Sequence, residues 1–126
     1  MREQENQILQ EEQPQRAFLV SLDTGEFDAQ ASLEELYELV RSAGAEPVAS
    51  AMQKRPAPDA AYCVGSGLLE EILETCQVQE IDLLVFDREL SPTQIRNIED
   101  KSQLRVVDRT MLILDIFAQR ARSSEG

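Results

Sequence analysis

The residues best suited to chemistry are a short glycine loop, Gly65-Ser66-Gly67, and four cations, Lys54, Arg55, Arg88 and Arg109. A Gly-x-Gly that opens a helix exposes backbone N–H groups, and such amides bind anions when cations stand nearby. A nucleotide or another phosphate-bearing molecule is the matching ligand class. Strand ends are also polar for reasons of solvation alone, and a lone Gly-x-Gly is a weak signal. Three acids, Asp23, Asp87 and Asp108, offer a second chemistry, because converging carboxylates hold magnesium. A site of that kind wants two adjacent acids after the first strand, and here Asp23 is followed by Thr24-Gly25. The chain has no histidine, so no Ser/His or Cys/His nucleophile pair exists. Cys63 and Cys76 alone fall short of the roughly four ligands of a zinc site. No catalytic residue and no metal ligand is assigned.

The elements that must position these residues follow from periodicity. Ala17 to Leu22 is a nearly continuous apolar run, as in a strand covered on both faces. Ser32, with Glu35 three residues on, has the pattern of a capping box opening a helix whose stripe is Leu33, Leu36, Tyr37 and Val40. Gly44 closes that helix. Pro47 to Met52 reads as a second strand and Tyr62-Cys63-Val64 as a short third. Ser66 or Gly67 opens a helix burying Leu68, Leu69, Ile72, Leu73 and Cys76. Ile81 to Phe86 is a further strand. Ser91, Pro92 and Gln94 form the start of a third helix. Leu104 to Val107 is the last strand, and Asp108 caps a final helix that is apolar on more than one side. Leu114, Phe117, Ala118 and Ala121 form the face expected to be buried. The fold class is therefore α/β, a single, mostly parallel β-sheet flanked by helices. Parallel strands put Asp23, Lys54, Arg55, the glycine loop, Asp87, Arg88, Asp108 and Arg109 on one edge, where open sheets of this kind bind ligands.

Composition narrows the partners. The chain has 126 residues, room for one domain, with 12 Lys and Arg against 24 Asp and Glu, a net charge of −12. The imbalance lies in residues 1–80, with five cations against sixteen acids; residues 81–126 hold seven against eight. Such a surface repels the nucleic-acid backbone except at local basic spots. No apolar run approaches the roughly 20 residues of a membrane span, and the amino end lacks a secretory signal pattern. Residues 1–15, rich in Gln and Glu, are expected to be a disordered tail before a domain at 16–126. The two cysteines suit reduced core positions in a cytoplasmic protein.

Three stretches carry a resemblance. Asp108-Arg109-Thr110 with Leu112 to Ala121, then Leu90-Ser91-Pro92 with Gln94, Arg96-Asn97 and Glu99, and the segment from Gln53 to Gly67 resemble the N-terminal domain of the HflX-type ribosome-associated GTPases. The likeness runs over roughly residues 17 to 126. One departure stands out: Ser66 and Leu68 occupy positions where that family usually carries lysines. No Gly-x-x-x-x-Gly-Lys-Ser/Thr occurs anywhere, so the chain lacks a GTPase phosphate loop.

The resemblance implies a non-catalytic docking and regulatory domain of a cytoplasmic GTP-binding protein acting on the large ribosomal subunit. GTP and magnesium would belong to a GTPase domain lying in cis outside this sequence, and the last helix would be the truncated start of a longer one. Two alternatives stand beside it. The domain binds or hydrolyses ATP itself through Gly65 to Gly67, or it is an adaptor whose last helix pairs with a partner or a second copy.

Overall fold

The computed structural model describes residues 13–125, with side chains as far as Ala121. Residues 1–12 of the expected tail lie outside the described residues. Strands and helices alternate in strict order: β1 (Arg16–Asp23), α1 (Ala29–Ser42), β2 (Glu46–Lys54), α2 (Ser66–Val78), β3 (Leu83–Phe86), α3 (Pro92–Ser102), β4 (Arg105–Asp108) and α4 (Arg109–Glu125). The sheet order is β2-β1-β3-β4, and all three pairings are parallel. The expected α/β architecture is thus present, with helices on both faces.

The apolar run in β1 is explained by its place beside both β2 and β3. Ala17 and Leu19 point to one face, where they pack with Leu33, Leu36 and Val40 of α1 and Leu112 of α4. Phe18, Val20 and Leu22 point to the other, against Leu69, Ile72 and Cys76 of α2 and Ile98 of α3. A period of two with both faces covered leaves no place for a polar residue except one with a buried partner. Ser21 is that exception, fully buried within the run. α3 contributes one buried residue, Ile98, whose burial stabilises by about 1.5–3 kcal/mol. Its start is fixed by the expected capping box: Ser91 Oγ accepts from the Gln94 N–H at 3.1 Å, and Gln94 Oε1 accepts from the Ser91 N–H at 2.9 Å.

Three expectations are corrected. α1 begins a turn earlier than the Ser32 pattern suggests, because Asp28 Oδ1 accepts the Ala31 N–H at 3.1 Å and caps it. Tyr62 to Val64 is not a strand. Cys63 has a φ of 68°, outside the extended region, and exchanges two backbone hydrogen bonds of 2.9 Å with Asp59. Asp59 Oδ2 also accepts the N–H groups of Ala61 and Tyr62, tying the segment into a turn. In α4 the buried residues are Leu112 and Ile116, whereas Leu114 and Phe117 are 63% and 61% exposed. β4 runs into α4 without a loop, so the strand's exit direction fixes the helix rotation and selects the Leu112 face.

Candidate functional site

All four strands being parallel, their carboxyl ends share one edge. The chain leaves β1 for β2 on one side and then crosses back to β3 on the other. The reversal falls between β1 and β3, the point at which open α/β sheets leave a crevice.

Each residue expected there can now be placed. Lys54 ends β2, is exposed, and has no ion pair among the described residues. Arg55 follows it, half-buried, and its Nε donates to the Ala57 carbonyl at 3.2 Å. Gly65 is the N-cap residue of α2, and Ser66 and Gly67 are its first, exposed residues. The Gly65 N–H donates to Gln53 Oε1 at 2.8 Å, so the first amide of the loop is taken by a side chain of β2. A Cβ at Gly65 would stand 3.2 Å from Arg55 Nη1, while one at Gly67 would meet nothing within 4 Å. Arg109 is engaged with α1, where Nη2 pairs with Glu35 and Nη1 donates to Ser32 Oγ at 3.3 Å. Arg88 is half-buried and its Nη1 is buried without a hydrogen-bond partner among the described residues. The expected cations therefore divide: Arg109 is neutralised, and Lys54, Arg55 and Arg88 carry charge that no carboxylate matches through an ion pair among the described residues.

The three acids do separate work. Asp23 Oδ1 accepts the Gly25 N–H at 2.9 Å and closes a turn that Gly25 makes at φ 86°. Asp108 accepts the Leu90 N–H at 2.9 Å and the Met111 N–H at 3.0 Å, joining the start of α4 to the loop before α3. Asp87 is buried, accepting from Ser21 Oγ at 2.6 Å and from the Leu22 N–H at 3.4 Å. Burial pushes its carboxyl above the usual carboxylate range. The Ser21 and Leu22 bonds and the charges of Arg88 and Arg109 act in the opposite direction. No group of three or more His, Cys, Asp or Glu among the described residues is placed to hold a metal ion. Cys63 and Cys76 are free and buried, and burial pushes both thiols up to about 11.

A shallow cavity of about 460 Å³ opens at the ends of β1 and β2, lined by Asp23, Thr24, Gly25, Lys54, Arg55 and Pro56. Thr24 was not singled out by sequence reasoning, nor were Ser21 and Gln53. Ser21 alone carried a signal, a hydroxyl inside an otherwise apolar strand.

Comparison with known proteins places this architecture. Residues 30–118 match the family model described as GTP-binding GTPase N-terminal. The chain is 45% identical over 112 residues to the GTPase HflX of Caldanaerobacter subterraneus subsp. tengcongensis, covering 89% of this chain and 26% of that protein. It is 48% identical over 94 residues to GTPase HflX of Escherichia coli K12, covering 75% of this chain and 22% of that one. Among solved structures, SsGBP in complex with GDP aligns with a TM-score of 0.62 at 26% identity, covering 85% of this chain and 29% of that chain. A GTP-binding protein of Sulfolobus solfataricus in complex with GDP shares the fold, with a TM-score of 0.59. The chain spans about a quarter of the length of these curated relatives.

Proposed function

This chain belongs to the HflX family of GTPases, as its N-terminal domain, and on that premise we propose that it is a docking and regulatory module that brings a GTPase domain in cis to the large ribosomal subunit. The single observation that carries the reading is the identity to HflX proteins along 89% of this chain. Within the 126 residues there is no Gly-x-x-x-x-Gly-Lys-Ser/Thr, the loop that holds the phosphates and magnesium in P-loop GTPases. GTP and magnesium therefore belong to the portion of the protein outside this chain. The working compartment is the cytoplasm, and no helix among the described residues is long and apolar enough to cross a membrane. The exposed Leu114 and Phe117 on the outer face of α4 are the surface we assign to contact with the rest of the protein.

A chain of net charge −12 approaches ribosomal RNA through its basic edge, where Lys54 and Arg55 stand. Co-sedimentation with purified large subunits across a salt series tests this. Lys54→Glu with Arg55→Glu should weaken association and make the log–log salt slope shallower by about one unit for each phosphate left without its cation. Glu70→Lys with Glu74→Lys, on the exposed side of α2, should not weaken it. Abolished binding only in the second variant would move the docking surface to α2.

A further inference from the structure

Between α2 and the end of α3 lie two adjoining cavities, of about 420 and 210 Å³, that share Leu73, Gln77 and Ser102 and so form one groove. It sits by the amino ends of β3 and β4, at the opposite end of the sheet from the basic edge. Its floor is apolar, made by Leu73, Cys76, Ile81 and Leu104. Leu73 and Leu104 are only half-buried, so the packing of α2 on the sheet leaves part of this floor open. The way α2 ends fixes the floor: the Ile81 N–H donates to the Cys76 carbonyl at 2.9 Å, which turns the chain back and buries Ile81 beneath the helix. Val78, one helical turn beyond Glu74, is 80% exposed, more than any other large apolar side chain among the described residues.

The walls are acidic. Glu70, Glu74 and Glu80 line the groove, and Lys101 is the one cation among its lining residues. Lys101 is already engaged, with Nζ 3.7 Å from Glu70 and over the Tyr62 ring. Glu74 and Glu80 have no ion pair among the described residues. Glu80 also stands at a φ of 54°, the left-handed position after a helix where glycine is the usual residue. A glutamate kept there works against the backbone and sets a carboxylate at the groove. The acids do not make a metal site, since no group of three or more among the described residues is placed to hold one. They also repel a nucleic-acid backbone. An open apolar floor within unmatched carboxylates is the complement of a cationic polypeptide that carries an apolar anchor. From Glu70 to Gln77 the groove follows about 10 Å of helix, room for two to three turns of a second helix laid alongside.

We propose that the groove between α2 and α3 docks a lysine- or arginine-rich amphipathic helix of a protein partner, its apolar side chains over Leu73 and Leu104 and its cations against Glu74 and Glu80. A second copy of this chain is a poorer occupant. Each copy carries a net charge of −12, and seating the basic edge of one in the groove of the next gives a head-to-tail contact of two different surfaces. The proposal goes beyond large-subunit docking through the basic edge and does not depend on it.

The test is fluorescence anisotropy of a labelled synthetic peptide of about three helical turns, with leucines at i, i+3 and i+4 spacing and lysines elsewhere. Two controls replace its leucines with alanine or its lysines with glutamate. Saturable binding of the first peptide alone is expected, weakening as salt is added. Glu70→Lys with Glu74→Lys should weaken it about tenfold or more, because the cations of the peptide then meet like charges. Glu80→Gly should raise the melting temperature and still weaken the peptide several-fold, so that a loss of binding cannot be a loss of fold. Lys54→Glu with Arg55→Glu, at the far end of the sheet, should not weaken it. No saturable binding would overturn the proposal, as would equal binding of either control peptide. So would unchanged affinity in Glu80→Gly. Self-association of the chain in sedimentation, lost in Glu70→Lys with Glu74→Lys, would overturn it in favour of a second copy.

Discussion

Ser21 of β1 donates its hydroxyl to the carboxylate of Asp87, which follows β3, at 2.6 Å inside the protein. Both residues are buried, and the carboxyl is held above its ordinary pKa chiefly by burial. A carboxyl raised in the folded state contributes stability that is complete below its unfolded pKa and is lost as pH rises through the folded value. Asp87→Asn should therefore remove a fall in stability on the alkaline side of about pH 4, where an unfolded Asp titrates. Urea unfolding of both proteins from pH 3 to 8 measures the difference. A constant gap between the two curves at every pH would contradict the raised pKa.

Arg109, at the start of α4, is tied to Glu35 and Ser32 of α1. Exposed ion pairs contribute about 0–1 kcal/mol, and the Glu35 side chain is 66% exposed. We expect Arg109→Ala to cost about 0.5–1.5 kcal/mol, shared between the pair and the Ser32 bond. A double-mutant cycle with Glu35→Ala should give a coupling that shrinks with added salt. Additive losses would show that the pair contributes nothing in solution.

The two faces of α4 should respond in opposite ways. Ile116 is 7% exposed, and Ile116→Ala should cost about 2–4 kcal/mol. Phe117 is 61% exposed, and Phe117→Asp should change the stability of this chain by less than about 0.5 kcal/mol. Chemical denaturation of the two variants checks both numbers. A large loss for Phe117→Asp would mean that the outer face is covered by a second copy, which sedimentation would reveal.

Both thiols are pushed up to about 11 by burial. Thiols raised on folding favour the native state fully below the unfolded value and lose that contribution through the folded one, so stability should fall between about pH 9 and pH 11. At neutral pH neither Cys63 nor Cys76 should react with iodoacetamide until the chain unfolds. Cys63→Ala with Cys76→Ala should flatten the alkaline fall. Rapid labelling of the native protein at pH 7 would show that the cysteine sites open readily.

Where one pattern sufficed, sequence and structure coincide. The alternation that buries both faces of β1 and the Ser91–Gln94 box of α3 depend on neighbours within a few residues. Where two local patterns competed, tertiary contacts decided. Ser32 and Glu35 have capping-box spacing, yet Asp28 caps α1 and the pair is drawn to Arg109, distant in sequence. Leu114 and Phe117 have the spacing of a buried face, but so do Leu112 and Ile116, and only the junction with β4 distinguishes them. Tyr62-Cys63-Val64 looks like a strand by composition, while Asp59 just upstream bends it into a turn through side-chain bonds. The site was legible as an edge, because parallel strands align their ends whatever their side chains. Which of its cations is neutralised was not legible, since that depends on residues brought in by other elements.

The pairing of β1 has a consequence for how the chain is made. Ala17 to Val20 pair with Leu83 to Phe86, so one side of β1 must stay open until most of the chain exists. At ordinary synthesis rates of about 5–20 residues per second, that interval is on the order of several seconds. During it, α1 and α2 are already made and can cover the two faces of β1, but its β3 side is an unsealed edge. Closing such distant pairs is slow compared with helix formation. The centre of the finished sheet is thus the part of the nascent chain that most needs shielding from premature association.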